Sequence, residues 1–70
     1  MPLSEVKFNK TYTVNKIQVE RDDVRNFLFS LGCYPGEEIT IISKLASNYI
    51  INVKDARYSI DKDLAKAIQV

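Results

Sequence analysis

Apolar residues along this chain recur at two different spacings, and the change of spacing divides it into elements. Val24, Phe27, Leu28 and Leu31 stand at i, i+3, i+4 and i+7, the spacing that lines up one face of an α-helix. Asp22 and Asp23 open this stretch, where carboxylates complement the free N–H groups of a first turn. Gly32 follows Leu31 directly, the place where a left-handed residue closes a helix. Pro35 then blocks continuation. The pattern predicts a helix over 21–31.

Elsewhere the spacing falls to two, as strands require. Thr11-Tyr12-Thr13-Val14 alternates, with Tyr12 and Val14 on one face. In Ile39-Thr40-Ile41-Ile42 the first and third residues share a face, and Ile42 goes to the other side or marks a bulge. Ser47-Asn48 is a turn signal, and Tyr49, Ile51 and Val53 line one side of the strand that follows. Lys54-Asp55-Ala56-Arg57 reads as a tight hairpin leading to a short strand with Tyr58 and Ile60. Asp61 is placed to cap a single helical turn through Ala65, with a last strand over Ala67 to Val70. Short strands, tight turns and one helix point to a small closed barrel, which removes exposed sheet edges. Periodicity leaves SH3-like and OB-type barrels both open.

Composition narrows what such a barrel can do. Seventy residues make one domain with a small core. Ten Lys and Arg against nine Asp and Glu leave a net charge of +1, with no whole-molecule pull toward nucleic acid or an acidic membrane. There is no His, hence neither the usual general base nor the commonest metal ligand. A single Cys permits no internal disulfide, and small chains without disulfides belong to reducing compartments. No signal peptide and no run of about 20 apolar residues is present. No nucleophile sits with a base, and no glycine-rich phosphate loop occurs. The expectation is a cytoplasmic binding protein that is no enzyme and carries no cofactor or metal.

Several residues invite a more specific role. Phe29 lies about 140° around the helix from Val24, on the polar face, and is a candidate contact residue. Cys33 lacks co-ligands and reads as a small buried hydrophobe. The pairs Asp22-Asp23, Glu37-Glu38 and Asp61-x-Asp63 read as helix-start charge and solvated surface, because neighbouring side chains do not converge on one ion. Lys44, Lys54, Arg57, Lys62 and Lys66, with Tyr49 and Tyr58 between them, form the pattern of a small nucleic-acid-binding barrel. Asp55, Asp61 and Asp63 cancel much of that charge, so a solvated surface is preferred. Tyr34 beside Pro35-Gly36, and Lys44, Leu45, Tyr49 and Ile50 in a 44–50 loop, complete the candidate apolar surface.

Taken in order, these pieces resemble a known family. Pro2-Leu3-Ser4-Glu5-Val6, a strand, an amphipathic helix ending Leu31-Gly32, and then x-x-Pro35-Gly36-x-x-Ile39-x-Ile41 resemble FeoA, the small cytosolic partner of the bacterial ferrous iron transporter FeoB. Val53-Lys54-x-x-Arg57 and Lys62-x-x-Ala65-Lys66-Ala67-Ile68-x-Val70 continue the likeness over essentially the whole chain. Its specificity lies in order, spacing and length together. The resemblance implies a single mainly β domain over residues 1–70, an SH3-like β-barrel with one amphipathic α-helix inserted after the first strand. It implies no enzymatic activity, but a regulatory contact with the cytosolic GTP-binding part of FeoB. The residues expected to dock are Phe29, Tyr34, Lys44, Leu45, Tyr49 and Ile50. Related domains end some metal-dependent repressors, which makes an adaptor barrel of that kind the alternative. The chain departs from the family pattern in four places. Phe8-Asn9 replaces a Pro-Gly turn, Asn48-Tyr49-Ile50 a Gly-Asp-Pro loop and Asp55-Ala56 a Gly-Tyr hairpin, and Cys33 stands where a larger apolar residue is usual. Asn and Asp tolerate positive φ, so Asn9 and Asp55 are expected to keep the same turns.

Overall fold

In the computed structural model, which describes residues 1–70, the predicted helix is α1, Asp22–Leu31. It ends as its sequence requires. Gly32 adopts φ 99°, its N–H reaches the Phe29 carbonyl at 2.9 Å, and the Cys33 N–H reaches the Leu28 carbonyl at 3.0 Å. This is the Schellman closure, with two otherwise free carbonyls satisfied by the residues after the helix.

Six strands and a second helix complete the fold: β1 (Thr11–Thr13), β2 (Lys16–Ile17), β3 (Glu38–Leu45), β4 (Asn48–Val53), β5 (Ala56–Asp61), α2 (Lys62–Ala67) and β6 (Ile68–Gln69), preceded by a 3-10 turn at Leu3–Glu5. One antiparallel sheet runs β1-β3-β4-β5 and a second pairs β2 with β6. The segment from β1 to β2 is shared between them. Val14 still bonds toward β3, through Glu37 O at 2.8 Å and Gly36 N at 2.9 Å, whereas Asn15 N already bonds Gln69 O at 2.6 Å. The chain thus changes sheets between Val14 and Asn15, and the two sheets face each other across one core. Their ladders do not join into a ring. Between β5 and β6 lies α2, which packs on the 3-10 turn, β4, β5 and β6. The fold is SH3-like and mainly β, but the expected closure is completed by a helix rather than by strand pairing.

The core holds fifteen buried apolar residues, including Leu3, Val14, Leu28, Cys33, Ile39, Ile41, Tyr49, Ile51, Val53, Ile60 and Ile68. Alternation in β4 is as read, with Tyr49, Ile51 and Val53 inward. The register of β3 on β4 shifts between Ile41 and Ser43, which decides between the two alternatives at Ile42 in favour of a bulge. Asn9 and Asp55 take φ 60° and 62°, so both keep the left-handed turn conformation. Asp61 caps α2 by accepting from Leu64 N at 2.8 Å.

Four features differ from the sequence expectation. First, β2 and the 3-10 turn were not visible, because two or three residues carry no measurable period. Second, α2 runs to Ala67 rather than Ala65, and the last strand begins at Ile68. Third, residues 44–50 are not a loop. Strand β3 continues to Leu45 and β4 starts at Asn48, leaving Ala46-Ser47 as the turn. Fourth, Phe27, placed in the buried stripe, is 49% exposed. Leu28 is the only fully buried residue of α1, with Val24 and Leu31 half-buried. The helix rests on the core along Leu28, and Phe27 and Phe29 each point about 100° away from it, on opposite sides.

Candidate interaction surface

The candidate residues fall into two patches. The first lies where α1 ends. Phe29 and Tyr34 are 38% and 37% exposed, and their rings meet edge to face, 6.4 Å between centroids. The Schellman turn through Gly32 and Cys33 brings them together, because it folds the chain back at the end of the helix. Behind Tyr34, the Lys54 ammonium lies 5.2 Å from the ring centroid and 3.0 Å from the Glu37 carboxylate. The Tyr34 phenol and the Glu37 carboxylate hold Lys54 above the usual lysine range. Lys54 in turn holds Glu37 below the usual carboxylate range. The aromatic pair therefore rests on a charged clamp that ties the Pro35-Gly36 turn to the β4–β5 hairpin.

The second patch lies at the β3–β4 hairpin. Leu45 is 72% exposed and Lys44 is exposed beside it. Lys44 reaches back over the Tyr49 ring, 5.4 Å from its centroid. Tyr49 itself is only 4% exposed. Its hydroxyl donates to the Ser4 carbonyl at 3.4 Å, and its ring meets Phe8 edge to face at 6.4 Å. Tyr49 therefore belongs to the core and not to an exposed apolar surface, a correction that follows from its inward position in β4. Ile50, on the opposite face of β4, is half-buried.

The two patches sit at opposite ends of β4, about 17 Å apart along the strand. A single docking surface built from Phe29, Tyr34, Lys44, Leu45, Tyr49 and Ile50 is thus not what the fold assembles. Sequence reasoning missed Phe8 and Phe27, which are 43% and 49% exposed. Phe27 sat at a core spacing, and Phe8 carried no periodic signal.

The proposed basic stripe is also divided. Lys44 and Lys54 stand at the two ends of β4, and Lys54 is engaged by Glu37. Cys33 is fully buried, and desolvation pushes its thiol up to about 11, so it behaves as a small core residue. No three His, Cys, Asp or Glu side chains converge as a metal site. No helix is long and apolar enough to cross a membrane.

Comparison with known proteins fits this architecture. The crystal structure of an iron uptake regulatory protein, FeoA, superimposes with a TM-score of 0.86 at 30% identity, covering 97% of this chain and 91% of that one. FeoA of Stenotrophomonas maltophilia, solved with zinc and described as a procaryotic SH3 domain protein, gives 0.88 at 25% identity, covering 100% and 88%. A manganese-dependent transcriptional repressor gives 0.86 at 17% identity, covering 97% of this chain but 39% of the repressor, a likeness of fold alone. A search of curated proteins finds no match. The FeoA domain model matches residues 1–70, and the chain belongs to the FeoA domain family.

Proposed function

We propose that this chain is a cytoplasmic accessory protein of bacterial ferrous iron uptake that acts by binding the cytosolic GTP-binding part of the transporter FeoB. The observation that carries this reading is the family match over every residue from 1 to 70. The mechanism is contact, not reaction. A rigid aromatic pair, Phe29 and Tyr34, is held at the C-terminal end of α1 by the Gly32 turn and the Lys54–Glu37 clamp. Aromatic side chains with little freedom left to lose are favoured anchors for a partner protein. In this reading iron is the transporter's cargo and is not held by this chain.

The test is a titration of the purified chain against the soluble GTP-binding domain of FeoB. Phe29→Ala is expected to weaken binding roughly tenfold while leaving the circular dichroism spectrum unchanged. Absence of binding by the unaltered chain, or binding that Phe29→Ala does not change, would reject the proposal or its surface respectively.

A second reading rests on the likeness to repressor domains. IdeR from T. acidophilum gives a TM-score of 0.85 at 28% identity, with this chain spanning 32% of its length. On that reading the chain is an adaptor barrel whose partner is a metal-dependent regulator. Capture of such a regulator in preference to the FeoB domain would favour it. Binding to single-stranded nucleic acid that falls steeply with salt would instead favour the basic-barrel alternative.

A further inference from the structure

A groove runs between the N-terminal end of α1 and α2. Val19, Val24 and Leu64 form its floor, each half-buried against the core. Glu20, Asp61 and Asp63 stand on its rim. Arg21 is the one cation lining it, and its guanidinium is turned onto the Asp23 carboxylate, at 2.6 and 3.1 Å. The rim is therefore acidic around an apolar floor, in a chain whose net charge is +1.

The complement of this groove lies at the same end of the molecule. Leu45 is the most exposed large apolar side chain, at 72%, and its neighbour is the exposed cation Lys44. Leu45 pairs with Asn48, and Asn48 pairs with Asp61 on the groove rim. Two strand spacings, about 10 Å, thus separate the hairpin tip from the groove.

We propose that the chain forms a symmetric dimer in which the Lys44–Leu45 hairpin tip of each copy enters the α1–α2 groove of the other. Leu45 covers the floor of Val19, Val24 and Leu64. Lys44 meets the acidic rim. Because tip and groove share one end, a single two-fold rotation engages both at once, and the assembly closes at two copies instead of growing into a filament. The contact is small and partly electrostatic, so dimerisation depends on concentration and weakens with salt. It leaves Phe29 and Tyr34, at the far end of α1, uncovered, and does not rest on the FeoB reading.

Sedimentation of the purified full chain over a range of concentrations tests this. The expected mass rises from one chain to two, with the transition moving to higher concentration as salt is added. Leu45→Glu, at a surface position, is expected to stay monomeric throughout with an unchanged circular dichroism spectrum. Lys44→Glu and Glu20→Lys are each expected to weaken dimerisation roughly tenfold when alone. Mixed in equal amounts they are expected to pair, because both contacts of the mixed dimer then join opposite charges. A chain that is monomeric at every concentration, a dimer that Leu45→Glu leaves intact, or a mixture that pairs no better than either variant alone would overturn the proposal.

Discussion

Gly32 and Gly36 are both left-handed, at φ 99° and 93°, but only Gly32 is enclosed. A Cβ on Gly32 would lie 3.1 Å from Val53 Cγ1 and 3.2 Å from Lys54 Cδ, whereas one on Gly36 would meet nothing within 4 Å. Gly36→Ala should cost only the backbone term, about 1 kcal/mol. Gly32→Ala adds a tight contact at the seam between α1 and the β4–β5 hairpin and should cost about 2–3 kcal/mol. In thermal melts the Gly32 variant is expected to lose at least ~5 °C more than the Gly36 variant. Equal losses would show that the seam yields freely. The same contrast of neighbours explains the helix aromatics. Phe27 and Phe29 resemble core residues in type, but each flanks the single buried row through Leu28.

At the scale of elements, α1 and α2 are held in different ways. Helix α1 has no side-chain N-cap and depends on its C-terminal closure and on Leu28. Leu28→Ala should cost about 2–5 kcal/mol, and Phe27→Ala a small fraction of that, read from urea midpoints at constant slope. Helix α2 has six residues, too few to be stable by itself. It depends on Asp61, whose carboxylate accepts from Leu64 N at 2.8 Å, and on buried Ala65 and Ala67. Asp61→Ala should cost about 1 kcal/mol and Asp61→Asn much less, since an amide oxygen caps as well. Because α2 bridges the opening between β5 and β6, losing the cap should raise amide exchange in β6 as well as in α2.

At the scale of the whole molecule, stability should fall at both ends of the pH range for identifiable reasons. Glu37 titrates below its ordinary 4.5 because of Lys54. A carboxylate depressed in the folded state contributes stability above its unfolded value, lost as pH falls through the folded one. Cys33 is raised from 9.0 to about 11 by burial. Its contribution is complete below pH 9 and is lost as the pH climbs to about 11, because only the unfolded chain then forms a thiolate readily. Glu37→Gln should flatten the acid side of a plot of Tm against pH, and Cys33→Ala the alkaline side between 9 and 11. Thiol reagents should modify Cys33 only at the rate at which the core opens.

The sequence by itself determined the local elements whose signals are complete within a few residues. These are the helix with its acidic start and Gly32 end, the alternating strand β4 and the tight hairpin at Asp55, whereas the choice of a bulge at Ile42 was left to the structure. In each, the deciding physics is backbone conformation or a repeat that neighbours in the chain already display. Tertiary structure alone decided the rest. Strand β2 exists because β6 comes back to pair with it. The side of α1 that is buried depends on how the sheets approach it, which no helical wheel contains. Tyr49 went into the core and Leu45 to the surface because strand register at a hairpin tip, set by Ala46-Ser47, fixes which side chains face inward. The division of the candidate residues between two ends of β4 has the same origin, since positions close in the chain are carried apart by an extended strand.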